Sequence, residues 1–120
     1  MNSKQALGKR GELLIEKSYL NLGYKLLARN WRSGRRELDL IFTKNGGLVF
    51  IEVKSRNFSP LDFEVIPLAK KQIISLKRAI LDYCYLHKIS TDRASLDLVL
   101  VIFKEGSREI TIKKYHNILS

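Results

Sequence analysis

Two acidic residues and one lysine on neighbouring predicted strands are of the types that phosphate chemistry needs. Glu52-Val53-Lys54 ends an apolar strand, and Asp39 lies in the strand before it. Mg²⁺ accepts one or two protein carboxylates and leaves positions for water and substrate phosphate. Two carboxylates that converge beside an ammonium group can therefore hold a divalent cation next to a phosphate, and the sequence predicts such a site here.

The turn between the two strands decides whether the carboxylates converge. The strands span about residues 37–43 and 48–55, and Asn45-Gly46 lies between them. Asn-Gly is the strongest short hairpin signal, because both turn residues take positive φ. Opposed residues share a face, with Cβ atoms roughly 4.5–5.5 Å apart. A two-residue loop then pairs Lys44 with Gly47, Asp39 with Glu52, and Glu37 with Lys54.

Two alternatives remain open from the residues alone. A three-residue loop that uses Gly47 would shift the pairing. The charges could also form a solvated ladder, Glu37 with Lys54 and Asp39 with Arg56, which would contribute little stability. A cation would relieve the repulsion between carboxylates that lie opposite one another more fully than Lys54 and Arg56 can.

Composition and charge indicate one globular domain, residues 1–120, with a polyanionic partner. The chain has 120 residues, of which 45% are hydrophobic, and 22 Lys and Arg against 12 Asp and Glu give a net charge of +10. This excess favours nucleic acid first and an anionic membrane second. The lone Cys84 excludes an internal disulfide and a multi-cysteine zinc site. With no apolar signal segment and no run long enough to span a bilayer, we expect a cytoplasmic protein without a membrane partner.

Hydrophobic periodicity predicts a sheet flanked by helices. Gly8 and Gly11 in the first helix indicate close approach of another backbone or a late helix start. Glu12 lies at the edge of this helix's apolar stripe, as a third acid facing the sheet or as a solvated residue. The second helix has a predicted buried stripe of Ala69, Ile73, Leu76, Ile80, Tyr83 and Cys84. The predicted elements are a helix at 4–22, strands at 24–31, 37–43 and 48–55, an irregular connection at 57–66, a helix from Pro67 to about 87, a buried strand at 96–103 and a last strand around Ile110 and Ile112.

This order, with Asp39 on the second strand and Glu52-x-Lys54 on the third, resembles the PD-(D/E)xK nuclease superfamily. Several blocks further resemble the bacterial YraN family, which is similar to Holliday-junction resolvases. They are Gly8-x-x-Gly11-Glu12, Ala28-Arg29-Asn30-Trp31-Arg32, Glu37-Leu38-Asp39-Leu40-Ile41, Phe50-Ile51-Glu52-Val53-Lys54-Ser55-Arg56, Lys71-Gln72 and Asp97. The resemblance covers nearly the whole chain and implies a single-domain, restriction-endonuclease-like α/β fold, with an αβββαβ core and a mixed central sheet.

The resemblance also implies roles for the matching residues. Asp39, Glu52 and the main-chain carbonyl of Val53 would bind Mg²⁺ or Mn²⁺. Lys54 would orient or deprotonate the attacking water and stabilise charge on the phosphoryl oxygens. Glu12 would support the metal or Lys54, and Gln72 resembles a helix glutamine that some relatives place near the site.

Basic residues around this site are candidate nucleic-acid contacts, with solvated surface charge as the alternative. The candidates are Arg29, Arg32, Arg35, Arg36, Arg56 and Lys71. Phosphate contacts of this kind contribute affinity without sequence readout.

The sequence thus predicts a Mg²⁺- or Mn²⁺-dependent endonuclease that hydrolyses DNA phosphodiesters, at branched or single-strand-containing structures, in repair or recombination. The alternative is a catalytically inactive DNA- or RNA-binding accessory protein. A homodimer would suit symmetric cleavage of two strands.

Overall fold

The N-terminal helix forms where the sequence predicts it and begins at a strong cap. The structure, a computed structural model, describes residues 2–58 and 68–119. Helix α1 spans Ser3–Asn21. The Asn2 side chain accepts from the backbone N–H of Gln5 at 2.8 Å, and the Gln5 side chain accepts from that of Asn2 at 3.2 Å. This reciprocal capping box satisfies two backbone donors that the first helical turn leaves unpaired.

Strands and a second helix follow in the predicted order. The elements are β1 (Lys25–Ser33), β2 (Arg36–Lys44), β3 (Gly47–Asn57), α2 (Lys70–Leu86), a 3₁₀ turn (Thr91–Arg93), β4 (Ala94–Phe103) and β5 (Ile110–Tyr115). Pro67, the predicted start of the second helix, and residues 59–66 of the predicted irregular connection lie outside the described residues. Ala69, predicted to be buried in α2, is instead exposed at the position just before the helix.

Within the described residues, five strands form a mixed sheet in the order β1-β2-β3-β4-β5. The β3–β4 pair is parallel and the other three pairs are antiparallel. Because α2 lies between β3 and β4 in the chain, it makes the crossover that a parallel pair requires. The α/β class and the mixed central sheet flanked by helices are confirmed, and β5 adds an antiparallel edge strand to the αβββαβ core.

The sheet separates two hydrophobic cores. Ile15 and Tyr19 of α1 pack on one face with Ile51 of β3, whereas Leu76 and the rest of the buried α2 stripe pack on the other face with Phe50. Strand β4 is buried on both sides, as its continuous apolar run predicts.

Close approach explains the glycine in the middle of α1. Gly11 is buried, and a Cβ at this position would overlap Ser55 Oγ on β3. By contrast, a Cβ at Gly8 would meet nothing within 4 Å. Gly11 therefore lets α1 lie directly on β3 beside the predicted site, and the alternative of a late helix start is wrong.

Candidate active site at a fork in the sheet

Strands β2 and β3 pair for only part of their length. Their antiparallel register runs from Lys44 and Gly47 to Leu40 and Ile51, and the turn residues Asn45 and Gly46 have φ of 53° and 79°. This confirms the predicted two-residue turn. Beyond Leu40, β2 stays with β1, and beyond Ile51, β3 stays with β4. The sheet therefore forks where the predicted acids lie, and the expected continuation of regular pairing to Glu37 and Lys54 is wrong.

Asp39 lies at the opening of the fork. Its Oδ2 accepts a hydrogen bond of 2.8 Å from the backbone N–H of Val53. Leu38 and Leu40 belong to opposite cores although they are only two positions apart, so the alternation of side chains shifts at Asp39. The side chain takes the place of the main-chain partner that β3 loses, and this fixes the carboxylate between the two strands.

Glu52 meets Asp39 in this space. Burial raises the pKa of the Glu52 carboxyl, and its hydrogen bond with Asp39 and the negative charge of Asp39 raise that pKa further. Lys54 acts in the opposite direction, and its Nζ lies 3.7 Å from Glu52 Oε2. These causes favour the protonated form of Glu52. Asp39 and Glu52 converge as expected, beside the predicted lysine.

Glu12 brings a third carboxylate from α1. Burial raises its pKa to about 7, and the negative charges of Asp39 and Glu37 contribute. Across residues 2–58 and 68–119, however, no group of three or more His, Cys, Asp or Glu side chains could hold a metal ion. Glu12 is therefore an acidic neighbour of the Asp39–Glu52 pair, and its support of the metal or Lys54 stays a prediction.

The main-chain carbonyl of Val53 also faces the fork. The N–H and C=O of one strand residue point to the same edge of the strand, and the N–H of Val53 meets Asp39 on the β2 side. Two carboxylates and this carbonyl provide the oxygen donors that Mg²⁺ and Mn²⁺ prefer. A cation would also offset the repulsion that raises the pKa of Glu52, so these donors fit the implied metal.

Asn30 is a site residue that the sequence reasoning missed. It lies in β1 with a φ of 48°. In the amide orientation that satisfies its neighbours, its nitrogen donates to Glu12 Oε1 at 3.1 Å and to Glu37 Oε1 at 3.0 Å. The other oxygen of Glu37 is bound by Arg32 Nη2 at 3.0 Å. Asparagine is disfavoured in strands but tolerates a left-handed backbone. Asn30 within an otherwise strand-like run was therefore the sequence signal for an irregular position in β1.

The predicted nucleic-acid contacts divide into two groups. Arg35 and Arg36 are exposed at the β1–β2 turn, and exposed Arg56 donates to the carbonyl of Ser55 at 3.0 Å. Arg29 forms a bidentate ion pair with the buried carboxylate of Glu16 on α1. Arg32 is bound to Glu37, as described above. Part of the cationic surface is thus paired with acids of the same fold, whereas the β1–β2 turn and the end of β3 present exposed guanidinium groups.

Lys71 and Gln72 lie at the start of α2. Both are exposed, and Gln72 Oε1 accepts from the backbone N–H of Ala69 at 3.2 Å. In this position Gln72 caps its own helix. Its catalytic role and the nucleic-acid role of Lys71 stay predictions.

In the described part of the chain, no helix is both long and apolar enough to cross a membrane.

Comparison with solved structures finds a likeness to SfsA of Pyrococcus furiosus, whose structure was determined in complex with Ca²⁺. The TM-score is 0.45 at 19% sequence identity, and the match covers 91% of this chain and 62% of that chain.

Sequence relatives cover most of the chain. A UPF0102 protein of Clavibacter michiganensis is 31% identical over 90% of this chain and 92% of its own. One from Neisseria meningitidis is 34% identical over 90% of each chain. A UPF0102 protein of Chloroherpeton thalassium is 44% identical over a shorter stretch, 48% of this chain and 44% of its own. The profile of the uncharacterised protein family UPF0102 matches residues 11–101. The chain therefore belongs to UPF0102, the YraN family that its motifs resemble.

Proposed function

We propose that this protein is a metal-dependent endonuclease that hydrolyses DNA phosphodiesters at branched or single-strand-containing structures. The observation that carries the proposal is the meeting of Asp39 and Glu52 at the fork, with Lys54 3.7 Å from Glu52. A chain of net charge +10 that attracts polyanions has no need of such a buried acidic pair for binding alone.

Each residue of the fork has a role in this proposal. Asp39, oriented by the N–H of Val53, and Glu52 bind Mg²⁺ or Mn²⁺ together with the Val53 carbonyl. The bound cation would supply positive charge against the phosphoryl oxygens and make water more acidic. Lys54 orients or deprotonates the attacking water and stabilises the charge that develops on the phosphate. Glu12 supports the metal or Lys54 from α1, beside Asp39 and Glu52.

The surroundings of the site suit a nucleic-acid strand. Arg35, Arg36 and Arg56 present exposed cations on both arms of the fork and track phosphates on either side of the cut. A role in repair or recombination, a cytoplasmic location and a homodimer for symmetric cleavage belong to the same proposal.

The alternative is a catalytically inactive DNA- or RNA-binding accessory protein. It is favoured by the raised pKa of Glu52, because burial and Asp39 favour its protonated form without any cation. In that case the pair would be a buried polar contact that joins β2 to β3, and phosphate binding would rest on the arginines.

One experiment separates the two functions. The protein is incubated with Mg²⁺ or Mn²⁺ and a panel of duplex, flap, forked and four-way DNA, beside Asp39→Ala and Lys54→Ala. A nuclease loses cleavage in both variants. A pure binder shows no cleavage in any sample, and Asp39→Ala increases its affinity for DNA because an acid is removed. Cleavage that survives both substitutions would mean that the active site lies elsewhere.

A further inference from the structure

Two clefts flank the N-terminal half of α1. The β3 cleft has a volume of about 490 Å³ and the β1 cleft a volume of about 600 Å³. The β3 cleft is lined by Ser3, Lys4, Leu7, Ser55, Arg56 and Asn57. The β1 cleft is lined by Gln5, Gly8, Lys9, Glu12, Asn30, Arg32 and Glu37. Each is open to solvent and combines one α1 lysine with one strand arginine.

Helix α1 lies across the fork and separates the clefts. A Cβ at Gly11 would meet Ser55 and Val53 on β3, whereas its neighbour Glu12 accepts from Asn30 on β1. Two consecutive helix residues therefore contact the two diverging arms of the sheet. The helical turns before them extend above the opening, with one cleft on each side.

The two clefts differ in charge. Lys9 and Arg32 of the β1 cleft are balanced by Glu12 and Glu37, and Glu12 interacts electrostatically with Asp39 and Glu52. The β3 cleft has Lys4 and Arg56, and the described residues that line it include no acid. The Ser55 hydroxyl in its wall is buried and, within the described residues, has no hydrogen-bond partner. The charge of the β3 cleft therefore suits phosphate without a metal ion, whereas Glu12 of the β1 cleft neighbours the acids that need one.

From this arrangement we infer that the N-terminal half of α1 lies between two strands of a branched nucleic acid. The strand to be cut follows the β1 cleft to the Asp39–Glu52 pair. The second strand lies in the β3 cleft, where cations hold its phosphates and no carboxylate binds a metal. This inference rests on the proposed function, because it specifies the substrate as one in which two strands diverge.

Binding without metal tests the inference apart from catalysis. Fluorescence anisotropy in chelator compares a forked DNA with two single-stranded arms against one arm alone. Lys4→Ala/Arg56→Ala is expected to weaken fork binding by roughly 10-fold through the loss of two phosphate contacts, and single-arm binding by less than about 3-fold. Lys17→Ala/Lys25→Ala removes two exposed cations elsewhere on α1 and β1, and should leave the ratio of the two affinities unchanged. Equal weakening of fork and single arm, or the same change in the control pair, would overturn the inference.

Cross-linking tests which arm lies in which cleft. Lys4→Cys and Lys9→Cys are each mixed with forks that carry a thiol-reactive group on one arm or the other. Wild-type protein is the background control, since its Cys84 is buried. We expect the two cysteines to link to different arms, and linkage of both to the same arm would contradict the separation of strands by α1. If no DNA is cleaved with Mg²⁺ or Mn²⁺ while these links still form, the proposed nuclease function fails and the binding inference stands.

Discussion

At the scale of single residues, the Asp39–Glu52 pair carries a cost in stability that a cation would remove. The pKa of Glu52 is raised above its ordinary value of 4.5 by burial and by Asp39. Folding therefore favours the protonated acid, and the unfolded chain releases this proton at lower pH than the folded chain does. Protonated Glu52 stabilises the fold relative to the ionised acid. This contribution is complete below about pH 4.5 and is lost as the pH rises toward the folded pKa.

The first prediction concerns Glu52→Gln, which mimics the protonated acid and still offers a donor to Asp39. In chelator, the free energy of unfolding of this variant should exceed that of the wild type by about 1–3 kcal/mol near pH 8, and the difference should shrink toward pH 5. Urea unfolding across this pH range measures it. Glu105→Gln, at an exposed position, is the control and should match the wild type. A Glu52→Gln advantage that does not vary with pH would contradict the assignment.

The second prediction concerns Asn30, whose left-handed backbone and amide both serve the site. Asn30→Gly keeps the backbone conformation available but removes the donor to Glu12 and Glu37, so it should cost about 1–2 kcal/mol of stability. Asn45→Gly is the matched control, because Asn45 also has a positive φ, of 53°, in the β2–β3 turn. It should change stability by less than about 0.5 kcal/mol. If thermal unfolding shows equal effects for the two variants, the amide of Asn30 does not hold the acids.

These residues also show how far sequence reasoning reaches. The Asn45-Gly46 turn specifies its own register from local conformational preference, so the approach of Asp39 to Glu52 was predictable. The fork was not, because the contacts found there are the hydrogen bond from Val53 to Asp39 and that from Asn30 to Glu37. Both contacts join residues that only the folded sheet brings together. Periodicity read along one strand assumes regular pairing and cannot locate where that pairing stops.

At the scale of elements, the close packing of α1 on β3 sets the position of the helix above the fork. The sequence signal for this packing was a pair of glycines in the helix, and only the structure separates the roles of the two. A Cβ at Gly11 would overlap Ser55, whereas Gly8 borders the open β1 cleft. The start of α2 shows a limit of sequence periodicity. The period predicted which face of α2 is buried, but it wrongly included Ala69, which is exposed.

The third prediction uses these two glycines as a matched pair. Ala is favoured over Gly in a helix interior by about 1 kcal/mol, so Gly8→Ala should stabilise the protein by about 0.5–1 kcal/mol. Gly11→Ala gains the same propensity but overlaps Ser55 Oγ, and overpacking of this kind costs typically 1–3 kcal/mol. Its net effect should be destabilising, and adding Ser55→Ala should recover part of the loss. Chemical denaturation of the four proteins tests this, and a Gly11→Ala variant as stable as Gly8→Ala would show that α1 does not depend on close contact with β3.

At the scale of the whole molecule, an acidic pair lies inside a chain of net charge +10. The long-range field attracts a polyanion, and the local acids at the fork exclude its phosphates unless a cation intervenes. Several cations are already paired with acids, as Arg29 is with Glu16 and Arg32 with Glu37. Affinity should therefore depend on the exposed cations, chiefly those at the β1–β2 turn and on the two sides of α1.

The fourth prediction follows from this division of charge. Each phosphate that the protein neutralises releases condensed counterions, so with four such contacts the affinity for duplex or forked DNA should fall roughly 100-fold between 50 and 200 mM salt. Arg35→Ala/Arg36→Ala should reduce the slope of log affinity against log salt by about 2, because each lost phosphate contact lowers it by about 1. The Lys17→Ala/Lys25→Ala pair has the same change in net charge and should keep the wild-type slope. A salt titration of DNA binding in chelator measures all three slopes. If both double variants lower the slope equally, the partner responds to net charge alone, and the β1–β2 turn makes no phosphate contact of its own.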